Sequence, residues 1–266
     1  ASGKPEEFAY ALLLVEGAFR FCAFVQLADA VSKGAPANKT RKWFKKLDPL
    51  TMGKLLALNR SLGEFLRGCD APPFVPEIDE LMQDARWDAI QTVIPRERND
   101  YAHRRLILSP DQAEERLDTI DGPLRSLLTG LQFLRAYHFG TFCNARELRR
   151  RGGGYSGTWR RSKGMEEDGE PVPVRARSRL PDDQVVLLDR RIDRALVLSP
   201  LFRRSELRGS PQIYWLDGFG EGEEADKVVY AHPVLDCPFT ERIRDPDGER
   251  ATRAEYEENA DDWHAA

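Results

Sequence analysis

The amino-terminal part of the chain carries an apolar stripe at helical spacing. From residue 6 to residue 31, apolar residues recur at steps of three and four: Phe8, Leu12, Val15, Phe19, Ala23, Leu27 and Ala30. A stripe with this period is typical of a helix that buries one face in a core. Because few polar residues interrupt it, we expect most of the helix surface to be covered.

Capping residues and helix breakers indicate where the next helices begin and end. Asp48 followed by Pro49 predicts a helix start, with an N-cap and a proline at the first helical position. Gly68 is placed to end this helix near residue 67. A short helix is expected within residues 77–93.

Proline positions predict where two further helices begin. Pro95 has no amide proton and restricts the residue before it, so we expect the helix that contains residues 98–103 to begin near Pro95. That start would place residues 98–103 in the opening turns, where free backbone amides favour anions. Residues 109–112, Ser-Pro-Asp-Gln, have the form of a capping box and open a long helix that we expect to reach Phe142.

The second half of the chain changes to short runs of β-branched, aromatic and aliphatic residues. These runs predict an antiparallel meander, with strands at residues 185–188, 195–198, 212–216 and 227–231. The expected fold class is therefore α+β, an antiparallel helical bundle followed by a small antiparallel β-sheet region. The expected segments are a helical domain 1–145, a basic glycine-containing linker 146–183, a β region 184–240 and an acidic tail 241–266.

Charge is unevenly distributed along the 266 residues. The formal net charge is −4, so the chain as a whole is not a polycation that would seek nucleic acid. Residues 241–266 hold nine acidic and four basic residues, whereas residues 146–163 hold seven basic residues and one acid. Tyr155 and Trp159 lie within this basic segment, a composition that can grip phosphates and stack bases, but Gly152 to Gly154 favour a solvated linker.

Cysteines and histidines give no sign of a metal site or a disulfide framework. The cysteines at positions 22, 69, 143 and 237 lack Cys-x-x-Cys spacing, and the histidines at 138, 232 and 264 are scattered. We expect no metal and no cofactor, and a reducing cytoplasm is the simplest location. The first residues show no basic region followed by an apolar core, so we expect no secretory leader. The apolar stretches are too short and too interrupted for us to expect a membrane span. A protein partner or further domains of a longer chain are among the expected partners.

Residues 98–103, Arg-Asn-Asp-Tyr-Ala-His, combine the groups needed to move a proton and hold a phosphate without a metal. A neutral imidazole titrates near working pH, and a guanidinium binds phosphate through two parallel hydrogen bonds. On a helix, Asn99 and His103 share a face, whereas Arg98 and His103 diverge by roughly 140°. One helix alone therefore makes a poor site, and we expect a second element or a second copy of the chain to complete it.

The same six residues match the pattern Arg-[Asn/Asp/His]-x-x-x-His and resemble the signature of HEPN domains, over about residues 5–142. The resemblance implies a helical homodimer that cleaves RNA without metal, leaving a 2′,3′-cyclic phosphate, in bacterial defence or stress response. His103 would be the general acid/base, Arg98 would stabilise the phosphate and Asn99 would orient the reacting groups. Further candidate RNA-binding residues are Tyr101, Arg104 and Arg105.

Two other interpretations stay open. In the first, the chain is a non-catalytic HEPN-like dimerisation or sensor module of a larger signalling or defence assembly, and Glu97 and Asp100 hold the motif at a helix junction. In the second, the chain is a regulator that binds small nucleotides through Arg104, Arg105 and the basic segment 146–163. Some members of the HEPN family resemble the first of these.

Overall fold

The computed structural model describes residues 3–47, 51–84, 86–104, 108–147, 155–163, 166–167, 171–176, 184–189, 191, 194–207, 210–219, 227–231 and 239–242. The α+β class is confirmed, since helices occupy the amino-terminal half and antiparallel strands follow. By contact density the chain forms two compact units, residues 1–26 with 51–133 and residues 27–50 with 134–266.

The helices in the described residues are α1 (Lys4–Ser32), α2 (Ala37–Lys45), α3 (Met52–Arg67), α4 (Pro76–Gln83), α5 (Arg86–Arg104) and α6 (Pro110–Gly130), followed by a 3-10 turn at Leu131–Ala136. The strands are β1 (Tyr137–Glu147), β2 (Tyr155–Lys163), β3 (Glu166–Glu167), β4 (Val172–Ala176), β5 (Gln184–Asp189), β6 (Arg194–Val197), β7 (Phe202–Leu207), β8 (Ser210–Phe219), β9 (Lys227–Ala231) and β10 (Phe239–Arg242).

Helix α1 buries the stripe that its sequence predicts, since Phe8, Val15, Phe19 and Ala23 are fully buried. The expectation that no stretch could cross a bilayer is corrected, because α1 is long and apolar enough to do so by length and composition alone. Within the structure, 56% of its most apolar window is buried, as in the core helix of a folded domain.

Local capping chemistry sets several helix ends. The capping box of α6 is confirmed, because the Ser109 hydroxyl accepts from the Gln112 amide at 3.3 Å and the Gln112 side chain accepts from the Ser109 amide at 3.1 Å. Helix α3 ends at residue 67 as expected. Its observed N-cap is Thr51, whose side chain accepts from the Lys54 amide, and the predicted start at residues 48–49 lies outside the described residues.

The predicted start of the motif helix at Pro95 is wrong. Helix α5 begins at Arg86 and continues through Pro95. The buried residues of α5 recur at helical spacing and form one face of the helix: Trp87, Ile90, Ile94 and Glu97. Burial of this face compensates for the backbone hydrogen bond that a proline in a helix interior removes.

The predicted long helix to Phe142 is also wrong, because α6 ends at Gly130 and residues 137–147 form β1. Strand β1 pairs antiparallel with β2 on one side and β5 on the other. The expected linker 146–183 contains β2, β3 and β4, and the expected boundary at residue 145 falls inside β1. The strands expected near residues 185–188, 195–198, 212–216 and 227–231 correspond to β5, β6, β8 and β9.

In the central strand pair, β1 and β2, two aromatic rings pack against two glycines. Phe142 of β1 faces Trp159 of β2 across the ladder. A Cβ atom at Gly157 would meet the Phe142 ring, and one at Gly140 would meet the Arg160 carbonyl oxygen and the Trp159 ring. Each ring therefore covers a glycine on the opposite strand, and both rings are buried in one apolar cluster with Val186.

Candidate active site

The backbone of residues 98–103 lies in the last two turns of α5 and not in opening turns. The carboxyl-terminal end of a helix presents carbonyl groups and partial negative charge, which favour cations. The expected contribution of free amides to phosphate binding is therefore corrected. Any phosphate at this position depends on the side chains.

Arg98 is held by a carboxylate from α1. Its Nε and Nη2 atoms both donate to Glu16 Oε2, each at 3.3 Å. The Arg98 side chain retains 27% of its exposure, and the Glu16 side chain retains 17%. Among the described residues, none accepts a hydrogen bond from Arg98 Nη1.

Glu16 is shared between two arginines. Its other oxygen, Oε1, lies 3.5 Å from Nη2 of Arg20, which is one turn further along α1 and almost fully buried. The three side chains together carry one net positive charge, and Arg98 is the more exposed of the two arginines. We call Glu16, Arg20 and Arg98 the arginine cluster.

A second contact joins the same end of α5 to α1. The Tyr101 ring packs edge to face on Phe8, with the ring centroids 5.6 Å apart and an interplanar angle of 83°. Phe8 is fully buried and Tyr101 is half-buried. Such aromatic pairs stabilise packing beyond the area that they bury, so Tyr101 anchors the end of the helix.

The remaining motif residues are less fully described. Asn99 is exposed, and its side-chain amide has no hydrogen-bond partner among the described residues. The backbone of His103 lies one turn beyond Asn99, and the side chains of His103 and Arg104 lie outside the described part of the structure. Arg105 lies outside the described residues altogether.

Glu97, a possible contact of the motif at a helix junction, instead pairs with two other arginines. Its side chain accepts from Arg116 of α6 at 2.6 Å and from the neighbouring Arg96 at 3.3 Å. Glu97 therefore joins α5 to α6, and the carboxylate that holds the motif arginine is Glu16. The sequence did contain a signal for this site, because Glu16 and Arg20, four residues apart, are the only charged residues between Phe8 and Ala28.

Two other features of the described residues, a buried cysteine and a cavity, do not include residues of the motif. Burial raises the pKa of the Cys22 thiol to about 12, so this cysteine stays protonated and cannot act as a thiolate nucleophile at neutral pH. A cavity of about 230 Å³ is lined by Glu77, Glu80, Leu81, Asp84, Gly130 and Phe133, none of which belongs to the motif. The described residues contain no group of three or more His, Cys, Asp or Glu side chains that could hold a metal ion.

No family model, curated protein or solved structure matches this chain. The resemblance to HEPN domains therefore depends on residues 98–103 and their helical surroundings. The arguments about function that follow depend on the contacts of these residues.

Proposed function

We propose that this chain is a metal-independent HEPN-type endoribonuclease, acting as a homodimer in the cytoplasm in bacterial defence or stress response. The observation that supports the proposal is the way in which Glu16 holds the guanidinium of Arg98. Glu16 engages the guanidinium through Nε and Nη2 and leaves Nη1 without a described protein partner. An arginine held in this way is oriented before the substrate arrives, which is what stabilisation of a phosphate transition state requires.

The proposed reaction uses the ribose of RNA as the nucleophile. An imidazole removes the proton from a 2′-hydroxyl, whose oxygen then attacks the adjacent phosphorus. The bond from phosphorus to the 5′-oxygen breaks, a second proton donor protonates that oxygen, and the products are a 2′,3′-cyclic phosphate and a 5′-hydroxyl. Arg98 would stabilise the charge on the phosphate oxygens, and His103 would supply proton transfer.

A dimer follows from the need for two proton-transfer groups. One group must act as base at the 2′-oxygen while another acts as acid at the 5′-oxygen. Each copy of the motif carries a single histidine, His103. A two-fold pair of motifs would supply two imidazoles and two guanidiniums around one phosphodiester.

A second candidate function is favoured by the same contacts. Arg98 binds Glu16 and Tyr101 packs on Phe8, so two of the motif residues fasten α5 to α1. In that case the chain is a non-catalytic dimerisation or sensor module, and the motif holds a helix end in place. Loss of Arg98 would then lower stability without removing any RNA cleavage.

The test is RNA cleavage in EDTA by the wild type and by His103→Ala, with His138→Ala on β1 as the matched histidine control. The proposal expects the wild type and His138→Ala to release 2′,3′-cyclic phosphate ends and His103→Ala to be inactive. The dimer mass in solution should be the same for all three proteins. Equal cleavage by His103→Ala, or no cleavage by the wild type on a panel of structured and unstructured RNAs, would reject the nuclease and favour the non-catalytic module.

A further inference from the structure

Helix α2 and its C-cap carry the densest positive charge of any described helix. Residues 37–46 contain five basic residues and no acidic residue: Lys39, Arg41, Lys42, Lys45 and Lys46. Because the whole chain has a formal net charge of −4, the remaining residues sum to −9. Helix α2 is therefore a locally basic helix on an acidic protein.

The helix separates its apolar and basic residues onto opposite faces. Trp43 and Phe44 are buried, whereas Lys42 and Lys45 are exposed. At about 100° per residue, Lys42 and Lys45 lie on the side of the helix opposite the two rings. Because the buried Trp43 and Phe44 hold the helix against the protein, its basic face is exposed to solvent.

Helix stability alone does not account for this charge. Lys42 and Lys45 lie in the last turn, where cations complement the helix dipole, but Lys39 lies in the first turn, where they oppose it. The first turn of α2 contains no acidic residue. Helix α2 and its C-cap therefore hold five cations without an acidic residue of their own to offset the repulsion.

We propose that the exposed face of α2, carrying Lys42 and Lys45, binds the sugar-phosphate backbone of single-stranded RNA without sequence preference. Lysines contact phosphates as point charges, and the exposed face of the helix has no aromatic residue that could stack on a base. The choice of RNA as the polyanion rests on the proposed function, whereas the charge and its exposure do not.

An anionic membrane is the less favoured partner. A helix that binds at a bilayer interface turns its apolar face toward the acyl chains. In α2 the apolar residues Trp43 and Phe44 are buried against the protein, so only charge faces outward. Such a surface suits phosphates arranged along a flexible strand.

The test measures binding separately from cleavage by using a 2′-O-methyl RNA 20-mer, which lacks the attacking hydroxyl. We expect Lys42→Gln/Lys45→Gln to bind roughly 25-fold more weakly at 0.1 M salt and to lower the slope of log affinity against log salt by about 1.4, which corresponds to two lost phosphate contacts. The control Arg125→Gln/Arg135→Gln removes the same charge from exposed positions outside α2 and should bind like the wild type.

An unchanged affinity and salt slope in Lys42→Gln/Lys45→Gln, or an equal loss in the control, would overturn the proposal. Loss of binding to vesicles containing phosphatidylserine, with RNA binding retained, would also overturn it and assign the face to a membrane. The melting temperature should not change, because both lysines are exposed. A protein that binds RNA through α2 but never cleaves it keeps this inference and rejects only the nuclease.

Discussion

The guanidinium of Arg98 donates from Nε and Nη2 to one carboxylate oxygen of Glu16, 82 residues earlier in the chain. This contact joins the end of α5 to the middle of α1 and engages two of the three nitrogens of the guanidinium. Glu16 also pairs with the buried Arg20. The carboxylate therefore has two effects that can be separated by experiment, one on stability and one on the orientation of Arg98.

Glu16→Gln should lower the free energy of unfolding by roughly 1–3 kcal/mol, because the amide keeps the shape but removes the negative charge that lies between Arg20 and Arg98 in a partly buried place. Urea denaturation measures the change. Glu114→Gln is the control, since the pair that Glu114 forms with Lys4 is exposed, and it should change stability by less than about 0.5 kcal/mol. Equal effects in the two variants would show that the arginine cluster contributes nothing specific.

Arg98→Lys separates orientation from charge. A lysine retains the positive charge and can still pair with Glu16, but it cannot use one edge for the carboxylate and another for a phosphate. If Arg98 stabilises the transition state, the cleavage rate should fall by about 10²-fold, the typical cost of one lost oxyanion donor. A single-turnover assay in EDTA measures it, and cleavage at the wild-type rate would remove Arg98 from the catalytic site.

Gly157→Ala tests the aromatic and glycine arrangement between β1 and β2. The new methyl group would meet the Phe142 ring, which is fully buried and has little room to move. We expect a loss of roughly 1–3 kcal/mol, the usual cost of overpacking a core, measured as a lower thermal midpoint.

Gly53→Ala in α3 is the matched control for this substitution. A Cβ atom at Gly53 meets nothing within 4 Å, and alanine is the better helix former, so stability should rise by up to about 1 kcal/mol. A Gly157→Ala protein as stable as the wild type would show that the Phe142 ring can be displaced at little cost.

The buried thiol of Cys22 predicts a dependence of stability on alkaline pH. Its pKa is raised by burial from 9.0 to about 12, so the native state holds this proton more tightly than the unfolded state. The stabilisation is fully present below pH 9 and is lost as pH rises from 9 toward 12, by up to about 1.4 kcal/mol per pH unit.

Urea denaturation of Cys22→Ala between pH 7 and pH 10 checks this dependence. The variant should lose less stability above pH 9 than the wild type does. Cys69→Ala, at a half-exposed position, should follow the wild-type curve. Parallel curves for the wild type and Cys22→Ala would contradict the prediction.

Local sequence was enough wherever a structural feature depends on neighbours in the chain. The apolar stripe of α1, the capping box at Ser109 and the end of α3 near Gly68 were all predictable, because each depends on residues within a few positions of one another. Four strands of the second half were predictable from their β-branched and aromatic composition.

Prediction failed where tertiary packing overrode a local preference. Pro95 disfavours a helix interior, yet burial of Trp87, Ile90 and Ile94 carries α5 through it. The spacing of Leu131, Leu134 and Phe139 also fits a helix, but residues 137–147 gain hydrogen bonds to strands on both sides and form β1 instead.

The sequence by itself determined the α+β class and singled out residues 98–103, because periodicity, capping and the types of side chain are properties of short segments. Only the tertiary structure decided that Arg98 meets Glu16 and Arg20, that Glu97 turns to Arg116, and that the motif occupies the end of its helix. These outcomes depend on residues far apart in the chain, and their pairing is set by the burial of whole faces rather than by any local pattern.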